Sequence, residues 1–169
     1  MKVLIIDKLA RIIKNKANLE KTLKIKIKNR GKEVSIEGEA EDEYVAEKVI
    51  EALDFGFPYS AAISIKKDDM LFEILNIKDH TKRSDLERVR ARIIGKGGKT
   101  IKTIADLSKC FLELKDNNIG IIGPPENISA IQTGIISIIK GSKQANIYSY
   151  LEKHHPLPIY DLGLKEKKK

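Results

Sequence analysis

Apolar residues fall along the chain in two series of the same kind. In the second half, Leu71 to Lys78 is an apolar-rich stretch bounded by the polar run Asp79 to Ser84, which predicts a strand. Leu86, Val89, Ile93 and Ile94 then recur at helical spacing behind Ser84 or Asp85, either of which suits a helix cap, until Gly95 breaks the period. A second helix over Lys99 to Lys109 places Ile101, Ile104 and Leu107 on one face. Two strands follow, Phe111 to Lys115 and Ile119 to Ile122, joined by Asp116-Asn117-Asn118, whose short polar side chains tolerate turns. Gly123-Pro124-Pro125 interrupts the chain, and Ile128, Ile131, Ile135 and Ile138 mark the core face of a long helix. The predicted order is β-α-α-β-β-α.

The first half repeats this order. Lys2 to Ile6 predicts a strand, Asp7 to Ile13 a short helix, and Lys24-Ile25-Lys26-Ile27-Lys28 a cleanly alternating strand. Arg30-Gly31-Lys32 turns, Val34-Ser35-Ile36 returns, and Tyr44, Val45, Val49 and Leu53 mark the closing helix. Ala10-Arg11-Ile12-Ile13 recurs as Ala91-Arg92-Ile93-Ile94, whereas Val34, Ile36, Gly38 and Glu41 find their counterparts in Ile119, Ile121, Gly123 and Glu126 at an offset grown by four residues. Four residues are about one helical turn, so the first-copy helix near Asn18 to Leu23 is predicted to be about a turn shorter than its counterpart. The pattern divides the chain into modules at 1–57 and 71–153, a connector at 58–70 with a helical segment around Tyr59 to Ile65, and a basic tail at 154–169. The stretch joining the copies from Phe55 to Asp69, with Phe57, Tyr59 and Ile63, is too apolar to hang free, which predicts that the modules pack together.

Charge turns attention to polyanions. Lys and Arg number 32 against 24 Asp and Glu, a formal net charge of +8, which suits nucleic acid or an anionic surface and equally a solubilising lysine-rich exterior. The single cysteine, Cys110, rules out an intramolecular disulfide framework and points to a reducing compartment. Lys2, Asp7, Lys8 and Arg11 interrupt the first apolar residues, so no secretory core is expected there. No apolar run approaches a membrane span, and the expected location is the cytoplasm.

The candidate chemistry lies in Ile93-Ile94-Gly95-Lys96-Gly97-Gly98-Lys99-Thr100-Ile101, between two predicted helices. Glycines there tolerate positive φ and let backbone approach a phosphodiester, and the helix that follows adds free N–H groups and a positive dipole end. Lys96 and Lys99 add charge, with Arg90 and Arg92 on the preceding helix. Ile94, Ile101, Leu112 and Leu114 are candidates for an apolar groove wall for unstacked bases, with Thr100 beside them. A nucleotide-binding P-loop requires a glycine where Ile93 stands and a strand where a helix is predicted. A dinucleotide fingerprint requires a glycine where Thr100 stands. A ligand-free helix-helix turn does not need three glycines interleaved with lysines.

This motif, in the order β-α-α-β-β-α, resembles a type I KH domain. The paired arrangement resembles the archaeal relatives of the small-subunit ribosome-assembly factor family called Partner of Nob One, best over Arg92 to Tyr148. The resemblance implies an α+β fold of two tandem type I KH modules, each a three-stranded antiparallel sheet backed by helices. It also implies single-stranded RNA binding near the 3′ end of precursor small-subunit rRNA, with the Nob One endonuclease and the alpha subunit of archaeal translation initiation factor two as partners. The first copy departs from it: Lys14-Asn15-Lys16-Ala17 stands where Gly-x-x-Gly is retained in relatives, so its clamp is expected to be lost and the module to serve as a brace, a docking surface or an accessory RNA contact.

No enzymatic constellation emerges. His154-His155 lacks companion ligands, Cys110 lacks a catalytic context, and Asp68-Asp69 lies in a charged connector, so neither a metal nor a cofactor is expected. The leading expectation is a non-enzymatic RNA-binding assembly factor. The alternatives are a protein-interaction scaffold with weak RNA binding and a translation regulator or exosome-type RNA adaptor.

Overall fold

The computed structural model describes residues 1–154, so the expected basic tail, including His155, lies outside the described residues apart from His154. The first half runs β1 (Lys2–Ile5), α1 (Leu9–Lys14), α2 (Lys16–Leu23), β2 (Lys26–Arg30), β3 (Glu33–Glu37), α3 (Ala40–Phe55) and α4 (Tyr59–Lys67). The second runs β4 (Leu71–Asn76), α5 (Leu86–Ile94), α6 (Lys99–Ser108), β5 (Phe111–Lys115), β6 (Asn118–Gly123), α7 (Pro125–Ile139) and α8 (Gln144–Lys153). Each half forms a three-stranded antiparallel sheet, in the equivalent orders β1-β3-β2 and β4-β6-β5. The expected α+β fold of two similar modules is present.

Element ends differ where side chains and left-handed residues intervene. The strand expected to reach Lys78 stops at Asn76, whose side chain accepts a hydrogen bond from the Lys78 N–H at 2.9 Å and opens a 3-10 turn over Ile77–His80. The alternating strand expected from Lys24 begins at Lys26, because Lys24 adopts φ 57° and ends α2. Its counterpart Lys109, at φ 57°, ends α6 in the same way. Asp85 precedes α5, but its carboxylate binds the Arg83 guanidinium at 2.7 and 2.9 Å instead of capping the helix, and that pairing holds the Asp85 carboxyl below the usual carboxylate range.

The repeat extends one helix further than its hydrophobic pattern indicates. Lys24 and Lys109 stand 85 residues apart, as do the left-handed glycines Gly56 and Gly141 and the first residues of α4 and α8, Tyr59 and Gln144. The segment expected to be a connector therefore holds the first-copy equivalent of α8. The two helices differ in what they cover: α8 lies on α6 and α7, whereas α4 lies on α3 and on β6 of the other module.

This contact explains the unlike strands β3 and β6. In β3, Val34 and Ile36 are buried and Ser35 is only half-buried, the alternation of a sheet packed on one face. In β6, every residue from Ile119 to Gly123 is buried. Ile119 and Ile121 join the second core, with Val89, Ile93, Ile104 and Ile135, while Ile122 joins the first core on the opposite face. Phe55, Phe57 and Phe72 form an aromatic cluster across this junction, with ring centroids 5.7 to 6.0 Å apart. Gly120 admits it: a Cβ there meets the Phe57 ring at 2.7 Å and the Phe55 ring at 2.8 Å. The modules pack together, as expected.

Candidate nucleic-acid interface

Helix α5 ends at Gly95, which adopts φ 76° and ψ 175°, a conformation open essentially to glycine alone. One 3-10 turn over Lys96–Gly98 follows, with Gly97 at φ 62° and Gly98 at φ 78°, before α6 begins at Lys99. The three glycines serve different ends. A Cβ on Gly95 meets the Thr100 Oγ1 at 2.1 Å and its backbone N at 2.7 Å, so Gly95 lets the turn close onto α6. A Cβ on Gly97 or Gly98 meets nothing within 4 Å, so these two face open space with no side chain between backbone and ligand.

Gly98 is the N-cap residue of α6 and supplies no side-chain hydrogen bond, leaving the first N–H groups of a ten-residue helix without a side-chain partner beside the turn. Lys96 and Lys99 are exposed next to it. Ile94, Ile101, Leu112 and Leu114 are all half-buried, and Leu112 and Leu114 pack on the second core, so each keeps part of its apolar surface open. Lys102 and Lys109, which the motif does not single out, extend the exposed positive charge along α6. Their spacing from Lys99, at i+3 and i+10, is the signal that marks that helix face.

Three expected contact residues are otherwise occupied. The Arg92 guanidinium donates to the Ile138 carbonyl at 2.7 Å and the Ser142 carbonyl at 2.6 Å, closing the C-terminal end of α7. Arg11, its first-copy counterpart, donates to the carbonyls of Gly56 and Phe57 at 3.0 and 2.9 Å after α3. The Ala-Arg-Ile-Ile repeat thus preserves a helix cap. Arg90 donates to the Asn117 side-chain oxygen at the β5–β6 turn. Thr100 is buried beneath Gly95 and supports the turn from below.

Lys14, Asn15, Lys16 and Ala17 form no loop comparable to Gly95–Gly98: Lys14 ends α1, Asn15 alone makes the turn, and Lys16 starts α2. Asn15 holds that sharp turn by donating its side-chain N–H to the Arg11 carbonyl at 2.8 Å. Helix α2 has eight residues against ten in α6, two fewer instead of a full turn. The remaining shortening falls on the connection itself, one residue where the second copy has Gly95 to Gly98.

Among the described residues no group of three or more His, Cys, Asp and Glu is placed to hold a metal, and no helix is long and apolar enough to cross a membrane. Cys110 is buried against Gly123, whose absent Cβ makes room for its sulfur, and burial pushes its thiol above the ordinary value.

A sequence model of the eukaryotic-type KH domain, type I, describing the second domain of PNO1, matches residues 71–156. The RNA-binding protein PNO1 of Oryzias latipes is 32% identical over 137 residues, covering 78% of this chain and 56% of its own length. The chain thus spans little more than half of that relative. The crystal structure of Dim2p from Pyrococcus horikoshii is 29% identical, covers 90% of this chain and 98% of its own, and superposes with a TM-score of 0.81. A chain of the a/eIF2alpha–aDim2p–rRNA complex from the same organism is 28% identical, covers 90% and 92%, and superposes with a TM-score of 0.80. Two modules, each with a three-stranded antiparallel sheet, and a model match over half the chain place this protein in the PNO1 family of type I KH-domain proteins.

Proposed function

We propose that this protein is a single-stranded RNA-binding factor of small-subunit ribosome assembly that engages precursor small-subunit rRNA near its 3′ end. One observation carries the reading: the Gly95–Gly98 turn presents two side-chain-free residues to open space beside the uncapped start of α6 and the exposed Lys96 and Lys99. A KH turn of this kind clamps about four nucleotides by their backbone. Phosphate contacts there supply affinity and register, and Ile94, Ile101, Leu112 and Leu114 supply the groove against which bases lie. Arg90, Arg92 and Thr100 shape the site without being its principal contacts.

The protein acts without catalysing a reaction, in the cytoplasm. The Pyrococcus relative solved with a/eIF2alpha and rRNA supports the alpha subunit of translation initiation factor two as a partner. The family resemblance supports the Nob One endonuclease as another. The first module braces the second and offers a docking surface, as its one-residue α1–α2 turn and the acidic segment Glu37 to Glu43 favour.

The test is binding of a short unpaired RNA by Lys96→Asp combined with Gly97→Asp. Aspartate tolerates the left-handed backbone at 97 better than most residues, so the fold is expected to survive, and circular dichroism checks it. Affinity unchanged in the folded variant would exclude the clamp. Crosslinking in cells that gave no enrichment at the 3′ end of precursor small-subunit rRNA would exclude the assembly role.

A further inference from the structure

A sizeable cavity lies away from the Gly95–Gly98 turn, where the two modules meet. It is an open groove of about 590 Å³ between the C-terminal half of α6, the outer edge of β5 and the start of α4. Phe57, Met70 and Phe111 give it apolar walls, and Asp106, Lys109 and Glu113 give it polar ones. Its volume is within the range of about 300–1,000 Å³ usual for pockets that take small organic groups.

Four features converge on one kind of occupant. First, β5 is an edge strand, since the sheet order is β4-β6-β5, so its outer N–H and C=O groups have no strand partner, and its residues Phe111, Leu112 and Glu113 line the groove. Second, the Phe111 ring remains 41% exposed at the groove, which is unusual for a phenylalanine beside a formed core and suits a stacking platform. Third, Lys99, Lys102 and Lys109 are exposed along α6 from the clamp at its N-terminal end to the groove at its C-terminal end. That distance is about 15 Å, the length of a ten-residue helix. Fourth, no ion pair among the described residues includes Glu113 or Asp106. Arg11, one of two cations that act on Glu113 at a distance, is itself held by the Gly56 and Phe57 carbonyls.

We propose that the groove between the modules is a second base site, in which a strand already held at Gly95–Gly98 runs along α6 and stacks a base that carries an exocyclic amino group on Phe111. The proposal rests on the RNA reading above and extends it from a four-nucleotide clamp to a longer footprint that needs both modules. The lysines follow the backbone phosphates. The carboxylates of Asp106 and Glu113 accept hydrogen bonds from an exocyclic amino group, which cytosine, adenine and guanine carry and uracil lacks. It also gives the first half of the chain a direct part in binding through Pro58, which is exposed at the groove and stands on the buried Phe57.

The probes are random-sequence RNA pools of about four and about eight nucleotides, the shorter filling the clamp and the longer reaching the groove. The longer pool is expected to bind roughly 5- to 150-fold more tightly, the worth of one base–aromatic stack. Phe111→Leu should remove that difference and leave the shorter pool unaffected, whereas Phe111→Tyr should keep it. Sequencing the bound long pool should show the amino-bearing bases cytosine, adenine and guanine enriched over uracil outside the clamped segment, with the bias lost in Glu113→Gln. The proposal is overturned if Phe111→Leu leaves the longer pool unchanged or weakens both pools equally, or if the bias against uracil is absent. Gly97→Asp separates this from the clamp: long-pool binding insensitive to Gly97→Asp would sink the clamp reading, while loss of both pools there with no effect of Phe111→Leu would sink only the second site.

Discussion

Replacing Gly95 by alanine separates the glycine that builds the clamp from those that present it. At φ 76° and ψ 175° an alanine occupies a glycine-only region at a cost of about 1–3 kcal/mol. Its Cβ must also displace Thr100, whose Oγ1 lies 2.1 Å away and whose backbone N lies 2.7 Å away, an overpacking of about 1–3 kcal/mol. The total, about 2–6 kcal/mol, is a large part of the 5–15 kcal/mol that holds a typical domain. Gly97→Ala meets no atom within 4 Å and carries only the left-handed penalty, about 1–2 kcal/mol. In urea unfolding, with a slope of about 2 kcal/mol per molar, Gly95→Ala should move the midpoint down by about 1–3 M and Gly97→Ala by less than about 1 M. Thr100→Ala should restore Gly95→Ala only in part, because the backbone N stays where it is. Equal midpoints for the two alanine variants, or full rescue by Thr100→Ala, would refute the division of labour among these glycines.

Four further outcomes follow from the same contacts. Arg92→Met removes two charge-assisted bonds from the end of α7 and should destabilise the protein by about 2–4 kcal/mol in urea unfolding, with RNA affinity of the folded protein little changed. Lys96→Ala should leave stability within about 0.5 kcal/mol and flatten the slope of log affinity against log salt by about 0.7, the share of one phosphate on a single strand. Gly120→Val drives a side chain into Phe55 and Phe57, and hydrogen exchange should report β6 and α4 opening together after a loss of about 1–3 kcal/mol or more. Burial raises the Glu113 carboxyl above 4.5, so the folded state holds that proton more tightly than the unfolded chain and loses stability as pH rises through that value; Glu113→Gln should therefore stabilise the protein at pH 7 and have little effect below pH 4.5.

The order of elements was legible because each module writes its core in the period of its elements. Val34-Ser35-Ile36 alternates like a one-sided strand, and Ile128, Ile131, Ile135 and Ile138 keep helical spacing. The glycine turn between α5 and α6 was legible from its residue types, since three glycines close together break a helical period. The fate of the arginines was not. Arg92 stands next to the clamp in sequence, but its direction depends on where Ile138 and Ser142 lie, some fifty residues on. Its recurrence as Arg11 in the copy without a clamp was the available sign that it serves the fold. The shortened first copy was read as a shorter helix because four residues match a helical turn, whereas the chain takes only two of them from the helix and the other two from the α1–α2 junction. Gly120 carried no local signal at all, because its need is set by Phe55 and Phe57 from the other module.

The two copies have diverged in ways that make sense only together. Position 120 corresponds to Ser35, and the back of the first sheet at that level is open: Val3 and Ile5 on β1 are 51% and 66% exposed. The second sheet has glycine there and is covered by Phe55 and Phe57, so the residue that lost its side chain lies in the copy being covered. The copy that covers it has no clamp to keep clear. Arg11 fastens the Gly56–Phe57 turn from helix α1, whose one-residue junction with α2 stands where the second copy has the Gly95–Gly98 turn. A restored four-residue glycine turn at Asn15 would add an anion site beside Pro58 and Tyr59, which line the adjoining surface with Lys14. It would leave Gly120, Phe55 and Phe57 in place. Such a chain is expected to fold and to gain salt-sensitive RNA affinity, and its failure to fold would mean that the short junction is itself part of what holds the modules together.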